Sequence, residues 1–271
     1  MALPVALQLY SVRDDMEKDF EGTLKKVSEL GYHGVEFAGL FGKSAAEVKA
    51  LCEKYSLTPI SAHVPLVDMI DDTDAVLRAY KEIGCEYIVV PYVTEERRPG
   101  AEKFEETIED IKKIGAASEK LGLTLLYHNL DFEFIKIDGK IGLDVLYASV
   151  PENLLKTEID TCWANVGGVD PASYVLKYTN RAPVVHLKDF TGTPSGRLYA
   201  LIGLDEDNKE TSNSFELRPV GYGKQDIPTI LDASVKAGAK WVVVEQDNPS
   251  MGKTPLECAE FSRNYLKTLC W

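Results

Sequence analysis

The chain has 271 residues and a formal net charge of −13, with 30 Lys and Arg against 43 Asp and Glu. This length suits one large α/β barrel or two small domains. The acidic balance argues against general binding of nucleic acid, and the longest apolar runs, such as Val242–Val244, are too short to span a bilayer. We therefore expect a globular protein that binds neither nucleic acid nor membrane.

Cysteine usage and the N-terminus indicate a cytoplasmic protein. The five cysteines are an odd number without a C-x-x-C pair, which is typical of reduced thiols rather than a disulfide framework. The first residues have no basic flank and run directly into a strand-like pattern, unlike a signal peptide. The sequence therefore predicts cytoplasmic localisation.

One pattern recurs along the chain: an amphipathic stretch ends near a glycine, and a short β-rich run follows. It appears at residues 30–37, 83–90, 121–126 and 237–244. A glycine after a helix adopts the left-handed conformation that turns the chain back into a strand. Continuous apolar runs are typical of parallel strands buried on both faces. The repeat therefore predicts βα units that build a parallel sheet.

Eight strands are predicted, most of them about 25 to 35 residues apart, the length of one βαβ unit. They are Val5–Leu9, Gly34–Phe37, Thr58–Ala62, Tyr87–Pro91, Thr124–His128, Leu155–Asp160, Val184–Lys188 and Trp241–Glu245. Helices are predicted at Glu17–Leu30, Ala45–Tyr55, Asp74–Ile83, Glu102–Leu121 and about Asp226–Ala237.

Eight such units favour an α/β fold, a (β/α)8 TIM barrel that forms a single domain over residues 1–271. The alternative is a doubly wound open sheet, but Gln8–Arg13 replaces the glycine-rich phosphate turn after the first strand, so dinucleotide binding is not expected. Thr191–Ser214 is rich in Gly and polar residues. We interpret it as part of an extended loop, about residues 191–225, over the barrel mouth.

Ionisable residues lie at the C-terminal ends of several predicted strands, where such a barrel carries its chemistry. They are His63, His128, His186, Glu36, Glu158, Asp160 and Glu245. Buried charges are costly unless they are paired or bound to a metal. Taken singly, a histidine at a strand end is more often structural, whereas convergence from several strands favours a functional site.

Period-two geometry narrows this set. Glu158 and Asp160 face the same side of their strand, and so do His186 and Lys188. Strands six, seven and eight then present Asp160, His186 and Glu245 to one volume. Two carboxylates and one imidazole suit one divalent cation, with Mn²⁺ first and Mg²⁺, Co²⁺ or Zn²⁺ behind it.

These residues resemble the xylose-isomerase-like TIM-barrel superfamily, in its sugar phosphate isomerase/epimerase group. The resemblance covers nearly the whole chain. Its segments are residues 8–13, 34–36, 61–63, 127–129, 158–163, 186–189, 221–226 and 244–245. Together they are specific to the family but not to a substrate.

The resemblance implies a divalent metal held by one residue from each of strands five to eight, usually Glu, Asp, His and Glu. Asp160, His186 and Glu245 match three of these positions. The strand-five glutamate is missing and His128 stands at or next to its position, so His128 or Glu158 is expected to complete the shell. In the ketose 3-epimerases the strand-five and strand-eight glutamates are also the proton-transfer bases, and only Glu245 is clearly present here.

The implied chemistry is proton transfer next to a carbonyl through an enediolate that the metal stabilises. Glu158 and Glu245 are the expected bases, and His128 is a ligand or an acid. Lys188 stabilises oxyanion charge in this interpretation, or else forms an ion pair with a neighbouring aspartate. The residues expected to line the sugar pocket are Tyr10, Glu36, His63, Asn129, Trp163 and Lys188.

The resulting prediction is a metal-dependent isomerase or epimerase of a sugar or keto-sugar. The first alternative is a dehydratase of a keto-sugar, keto-inositol or 3-keto-glycoside, and the second is a non-catalytic sugar-binding barrel. An apurinic endonuclease is disfavoured because it needs several zinc ions and many histidines, whereas this chain has four histidines and a net charge of −13. A small-molecule sugar is the expected partner, and homo-oligomer formation stays open.

Overall fold

The computed structural model describes residues 2–194 and 214–271. Its main feature is a closed barrel of eight parallel strands. These strands, β1 to β8, are Val5–Gln8, Gly34–Phe37, Thr58–His63, Tyr87–Val90, Thr124–His128, Lys156–Asp160, Val184–Leu187 and Trp241–Val244. Because β1 pairs with both β2 and β8, the sheet closes on itself. The predicted (β/α)8 TIM barrel is confirmed, and an open sheet is excluded.

Helices connect the strands and pack around the barrel. They span Arg13–Lys18, Phe20–Leu30, Ala45–Lys54, Leu66–Asp71, Thr73–Ile83, Phe104–Lys120, Gly142–Ser149, Thr161–Val166, Pro171–Lys177, Ile227–Lys236 and Pro255–Thr268. The prediction of one helix over Glu17–Leu30 is wrong. Asp19 ends one helix and caps the next, because its carboxylate accepts a hydrogen bond of 2.9 Å from the Gly22 amide.

Two short antiparallel ribbons lie outside the barrel. Asp189–Thr191 pairs with Glu216–Arg218, and Lys136–Ile137 pairs with Lys140–Ile141. The sequence predicts an extended loop over residues 191–225, but Glu216–Arg218 within it is a strand because its backbone pairs with Asp189–Thr191. Residues 195–213 of this segment lie outside the described residues. Within the described parts of the chain, no helix is long and apolar enough to cross a membrane.

The barrel interior has an apolar part and a polar part. The apolar part is a cluster of buried side chains from Ala6, Ile60, Tyr87, Val89, Leu126, Val184 and Val243. Side chains alternate along a strand, so the next inward residue lies two positions further on. That residue is Gln8 on β1, His128 on β5, His186 on β7 and Glu245 after β8. The alternation therefore places a polar layer at the C-terminal ends of the strands.

Candidate functional site

The polar layer contains two groups of metal-ligating side chains that share His186. The upper group is His128, Asp160, His186 and Glu245, and the lower group is Glu36, His63, Glu158 and His186. Within each group, one ligand atom of every residue lies within 4.8 Å of those of the others. All seven side chains are buried. Glu158 precedes Asp160 by two residues on β6, so the lower group lies nearer to the apolar part of the interior.

The upper group contains one residue from each of β5, β6 and β7, together with Glu245, which directly follows β8. The His186 Nδ1 lies 3.0 Å from the Glu245 Oε2, and the His128 Nε2 lies 3.5 Å from the Asp160 Oδ2. Among the described residues, neither of the last two atoms has a hydrogen-bond partner, although both are buried and the Asp160 Oδ2 lies 3.4 Å from the Lys188 Nζ. Buried polar atoms are normally satisfied, and a divalent cation would satisfy both. The residues of the upper group therefore fit a divalent metal.

The lower group is more tightly packed. The His63 Nε2 lies 2.7 Å from the Glu158 Oε2 and 3.1 Å from the Glu36 Oε1. The Glu36 carboxylate also accepts hydrogen bonds from the Gln8 Nε2 at 2.8 Å and the Ser61 Oγ at 2.5 Å. The sequence predicts that Glu36 and His63 line the sugar pocket, and the structure places both in this buried layer.

Lys188 reaches into the upper group as a buried cation. Its Nζ lies 2.8 Å from Glu245, 3.0 Å from Asp247 and 3.4 Å from Asp160. Burial alone would lower the pKa of Lys188, but the three carboxylates raise it well above its ordinary value. Sequence reasoning missed Asp247. It lies two residues beyond Glu245, so extending the period-two pattern past the end of β8 would have found it.

The carboxylates of the site favour protonation of its histidines. Of the described residues, the site contains one lysine, Lys188, against five carboxylates, Glu36, Glu158, Asp160, Glu245 and Asp247. Burial lowers the pKa of a histidine, but Glu36 and Glu158 outweigh it and raise the pKa of His63 to about 10. The same carboxylates raise the pKa of His186 well above its ordinary value. The excess of negative charge favours a cation, and a divalent metal ion could replace these protons.

Two of the site carboxylates, Glu36 and Glu245, have a lowered pKa. Burial raises the pKa of Glu36 and of Glu245, because it disfavours the charged form. The charges of His63 and His186 outweigh this effect at Glu36, and Lys188 with His186 outweighs it at Glu245. The pKa of each group therefore lies well below its ordinary value.

Three residues predicted to line the sugar pocket contact the backbone or side chains of neighbouring residues. Asn129 makes two hydrogen bonds with the backbone of Asp160. Its Nδ2 donates to the carbonyl oxygen at 3.2 Å, and its Oδ1 accepts from the backbone amide at 3.0 Å. The Trp163 ring is buried, 5.1 Å from the Lys188 Nζ. The ring of Tyr10 lies 4.1 Å from the Arg13 guanidinium and is partly exposed. Tyr10 is therefore the one of the three that borders solvent.

Asp189, which follows Lys188, binds the backbone of residues 221–225, the segment that follows the second strand of the first ribbon. Its two carboxylate oxygens accept from four backbone amides, those of Phe190, Gly221, Gly223 and Gln225, at 2.8 to 3.0 Å. Asp189→Asn removes one acceptor oxygen and puts an amide group against two of these donors. We expect the free energy of unfolding to fall by about 1–3 kcal/mol.

Urea denaturation measures this change, with Asp226→Asn as the matched control. Asp226 caps the helix Ile227–Lys236 through the Thr229 amide at 3.2 Å, and asparagine caps a helix about as well as aspartate. The control should therefore be close to wild type. Equal effects of the two substitutions would contradict the assigned role of Asp189.

Comparison with known proteins identifies the family. Residues 24–269 match the family model described as Xylose isomerase-like TIM barrel. The chain belongs to this family. Membership of the xylose-isomerase-like superfamily, predicted from the motifs, is thereby confirmed.

Among related sequences, the chain is similar to proteins named inosose dehydratase. It is 24% identical over 285 residues to the one from Clostridium beijerinckii, covering 94% of this chain and 92% of that protein. It is 24% identical over 188 residues to the one from Geobacillus kaustophilus, covering 61% of this chain. This second match spans 60% of the Geobacillus protein, which is less than two thirds of its length.

Solved structures share the barrel. A sugar phosphate isomerase/epimerase from Parabacteroides distasonis superposes with a TM-score of 0.79 and 19% identity. The match covers 98% of this chain and 94% of the Parabacteroides chain. An IolI protein with a bound zinc atom superposes with a TM-score of 0.73 and 15% identity. The match covers 99% of this chain and 98% of the IolI chain. At these identities the likeness establishes the fold.

Proposed function

We propose that this protein is a divalent-metal-dependent enzyme that removes a proton next to the carbonyl of a keto-sugar or keto-polyol. The observation that carries the proposal is the upper group, in which four ligating side chains converge at the C-terminal ends of β5 to β8. Family membership and the names of the related proteins support a carbohydrate substrate. The proposed activity rests on the site, since the fold alone does not fix a function.

His128, Asp160, His186 and Glu245 are the residues that would hold the ion. When bound, a divalent cation supplies Lewis-acid polarisation of a carbonyl and its neighbouring hydroxyl. Two imidazoles and two carboxylates suit several ions of intermediate hardness, and we propose Mn²⁺, with Mg²⁺, Co²⁺ or Zn²⁺ as alternatives. The zinc atom of the IolI structure supports a divalent ion of this group.

We propose dehydration as the outcome of proton removal. Glu245 takes the proton from the carbon next to the carbonyl, the carbon–oxygen bond of the hydroxyl on the following carbon breaks, and Glu245 returns the proton to that hydroxyl, which leaves as water. His128 acts as a ligand in this scheme, because its Nδ1 lies 3.1 Å from the Pro91 carbonyl oxygen and its Nε2 faces the upper group. The inosose dehydratases support this outcome by their names.

Epimerisation or isomerisation is the second candidate. It requires a second group that returns a proton to carbon. Glu158 favours it, because its Oε1 is buried without a hydrogen-bond partner in the described part of the chain, and its strand directs it into the same interior as Asp160. Its other oxygen is bound to His63 in the lower group, however, which places it further from the mouth.

The metal content of the purified protein tests the proposal. We expect about one equivalent of a divalent ion, bound with at least micromolar affinity, and its loss in His186→Ala because the imidazole is a ligand. His33→Asn is the matched control. His33 lies at the other end of the barrel, where its Nδ1 accepts from the Val5 amide at 3.0 Å, so this variant should retain the ion. If wild type binds no divalent ion, the assigned site fails.

A further inference from the structure

The lower group has the geometry of a cation site of its own. The Nε2 atoms of His63 and His186 face one oxygen each of Glu36 and Glu158, and the four N–O distances are 2.7, 2.8, 3.1 and 3.5 Å. A tetrahedral zinc site with bonds of about 2.0–2.2 Å has ligand atoms roughly 3.3–3.6 Å apart. One of the four N–O distances lies in this range and three are shorter, so these ligand atoms converge on one point and would move apart by a few tenths of an ångström to admit a small ion.

Glu158 provides an independent observation. Its Oε2 faces the two histidines, but its Oε1 has no hydrogen-bond partner among the residues that the structure describes, although Glu158 is completely buried. Protons on His63 and His186 would satisfy only the first oxygen. A cation bound by this carboxylate would also balance the charge on the second oxygen, which otherwise carries the desolvation penalty of a buried charge.

The surroundings of the lower group hold its ligands in place. Gln8 and Ser61 donate to Glu36 at 2.8 and 2.5 Å. On the far side of the His186 ring, the Nδ1 lies 3.0 Å from the Glu245 Oε2. A histidine that binds a metal through one nitrogen commonly donates its other N–H to a carboxylate, which fixes the orientation of the ring. The lower group thus has the supporting contacts of a metal site.

His186 links the two groups through its two ring nitrogens. A neutral imidazole has one N–H and one free nitrogen, so it can bind one ion at a time. If the ion lies in the upper group, the His186 Nδ1 binds it and the Nε2 donates to Glu36 at 2.8 Å. If the ion lies below, the Nε2 binds it and the Nδ1 donates to Glu245. The geometry is favourable for both arrangements.

We propose that Glu36, His63, Glu158 and His186 form a second divalent-cation site, suited to Zn²⁺, which is alternative to the upper site. Its four protein ligands complete a tetrahedral shell, which is typical of a closed, structural zinc site. An ion in this site withdraws His186 from the upper group. The chain then holds one ion in either of two positions, and the tautomer of His186 differs between them.

The test uses a variant whose upper group is disabled, His128→Ala with Asp160→Asn, which keeps all four lower ligands. We expect it to bind one equivalent of Zn²⁺ in a competition titration with a chromophoric chelator. Co²⁺ in its place should give the intense visible absorption of a four-coordinate ion. Adding His63→Ala should weaken Zn²⁺ binding by at least about 100-fold, since it removes a ligand.

Glu158→Gln serves as the second variant in the same background, because it preserves volume if His63→Ala fails to fold. It should also weaken binding and reduce the Co²⁺ absorption. The proposal is overturned if the folded upper-disabled variant binds no Zn²⁺, or if its binding is unchanged by both lower substitutions. Two equivalents of Zn²⁺ in wild type would overturn the sharing of His186. All these readouts are independent of turnover, so a failure of the proposed function is distinguishable.

Discussion

Glu245→Gln is expected to lower the rate of carbon–hydrogen exchange in the substrate by about 10²- to 10⁴-fold, or roughly 3 to 5 kcal/mol of activation free energy. Glutamine keeps the side-chain volume and an amide oxygen that is a weak metal ligand, but it has no useful proton affinity. Glu245 directly follows the buried residues of β8, so it is held by a rigid strand. Solvent deuterium exchange at saturating metal measures the effect.

Thermal unfolding in the presence of a chelator is the control for this variant, because it removes the contribution of metal binding to stability. The melting temperature should change far less than the exchange rate does. If exchange stays within a few-fold of wild type, Glu245 is a ligand only. The base would then have to be Glu158 or His128.

Lys188→Met is expected to lower the free energy of unfolding of the metal-free protein by about 3–5 kcal/mol. Methionine retains most of the apolar stem and removes the ammonium. Asp160, Glu245 and Asp247 then lose a buried partner within 2.8 to 3.4 Å. Urea denaturation in chelator at neutral pH gives the difference.

Lys177→Met is the matched control for Lys188→Met. The Lys177 side chain pairs with Asp144 and is 48% exposed, and such surface pairs contribute at most about 1 kcal/mol. Adding Asp247→Asn to Lys188→Met should recover part of the loss, because it removes one of the unpaired carboxylates. Equal losses for the two lysine variants would contradict the role assigned to Lys188.

The barrel could be predicted from sequence because each apolar run marks a strand buried on both faces. The strands Gly34–Phe37 and Thr124–His128 have the predicted bounds. Other ends moved by one residue, because an apolar run reports burial and not where backbone pairing stops. β1 ends at Gln8 rather than Leu9, since the Gln8 side chain accepts from the Tyr10 amide and starts a 3-10 turn.

The candidate site could be predicted only in part. Period-two alternation gave the side of the strand for Glu158 and Asp160, and both do face the interior. It does not give the height of a side chain along the barrel axis, because that height depends on how far each strand is shifted relative to its neighbours. The contacts of His63 with Glu158, and of His186 with Glu36, join residues 95 and 150 positions apart and could not be derived from spacing.

The most direct test of the central claim is isotope exchange in deuterium oxide on a panel of keto-sugars and keto-inositols, followed by mass spectrometry. For at least one substrate, the metal-loaded protein should incorporate deuterium next to the carbonyl or eliminate water. A chelator should abolish the reaction, and Glu245→Gln should slow it by about 10²- to 10⁴-fold. If the protein binds members of the panel but neither exchanges their carbon-bound hydrogens nor eliminates water, the account is contradicted and the chain is a sugar-binding barrel.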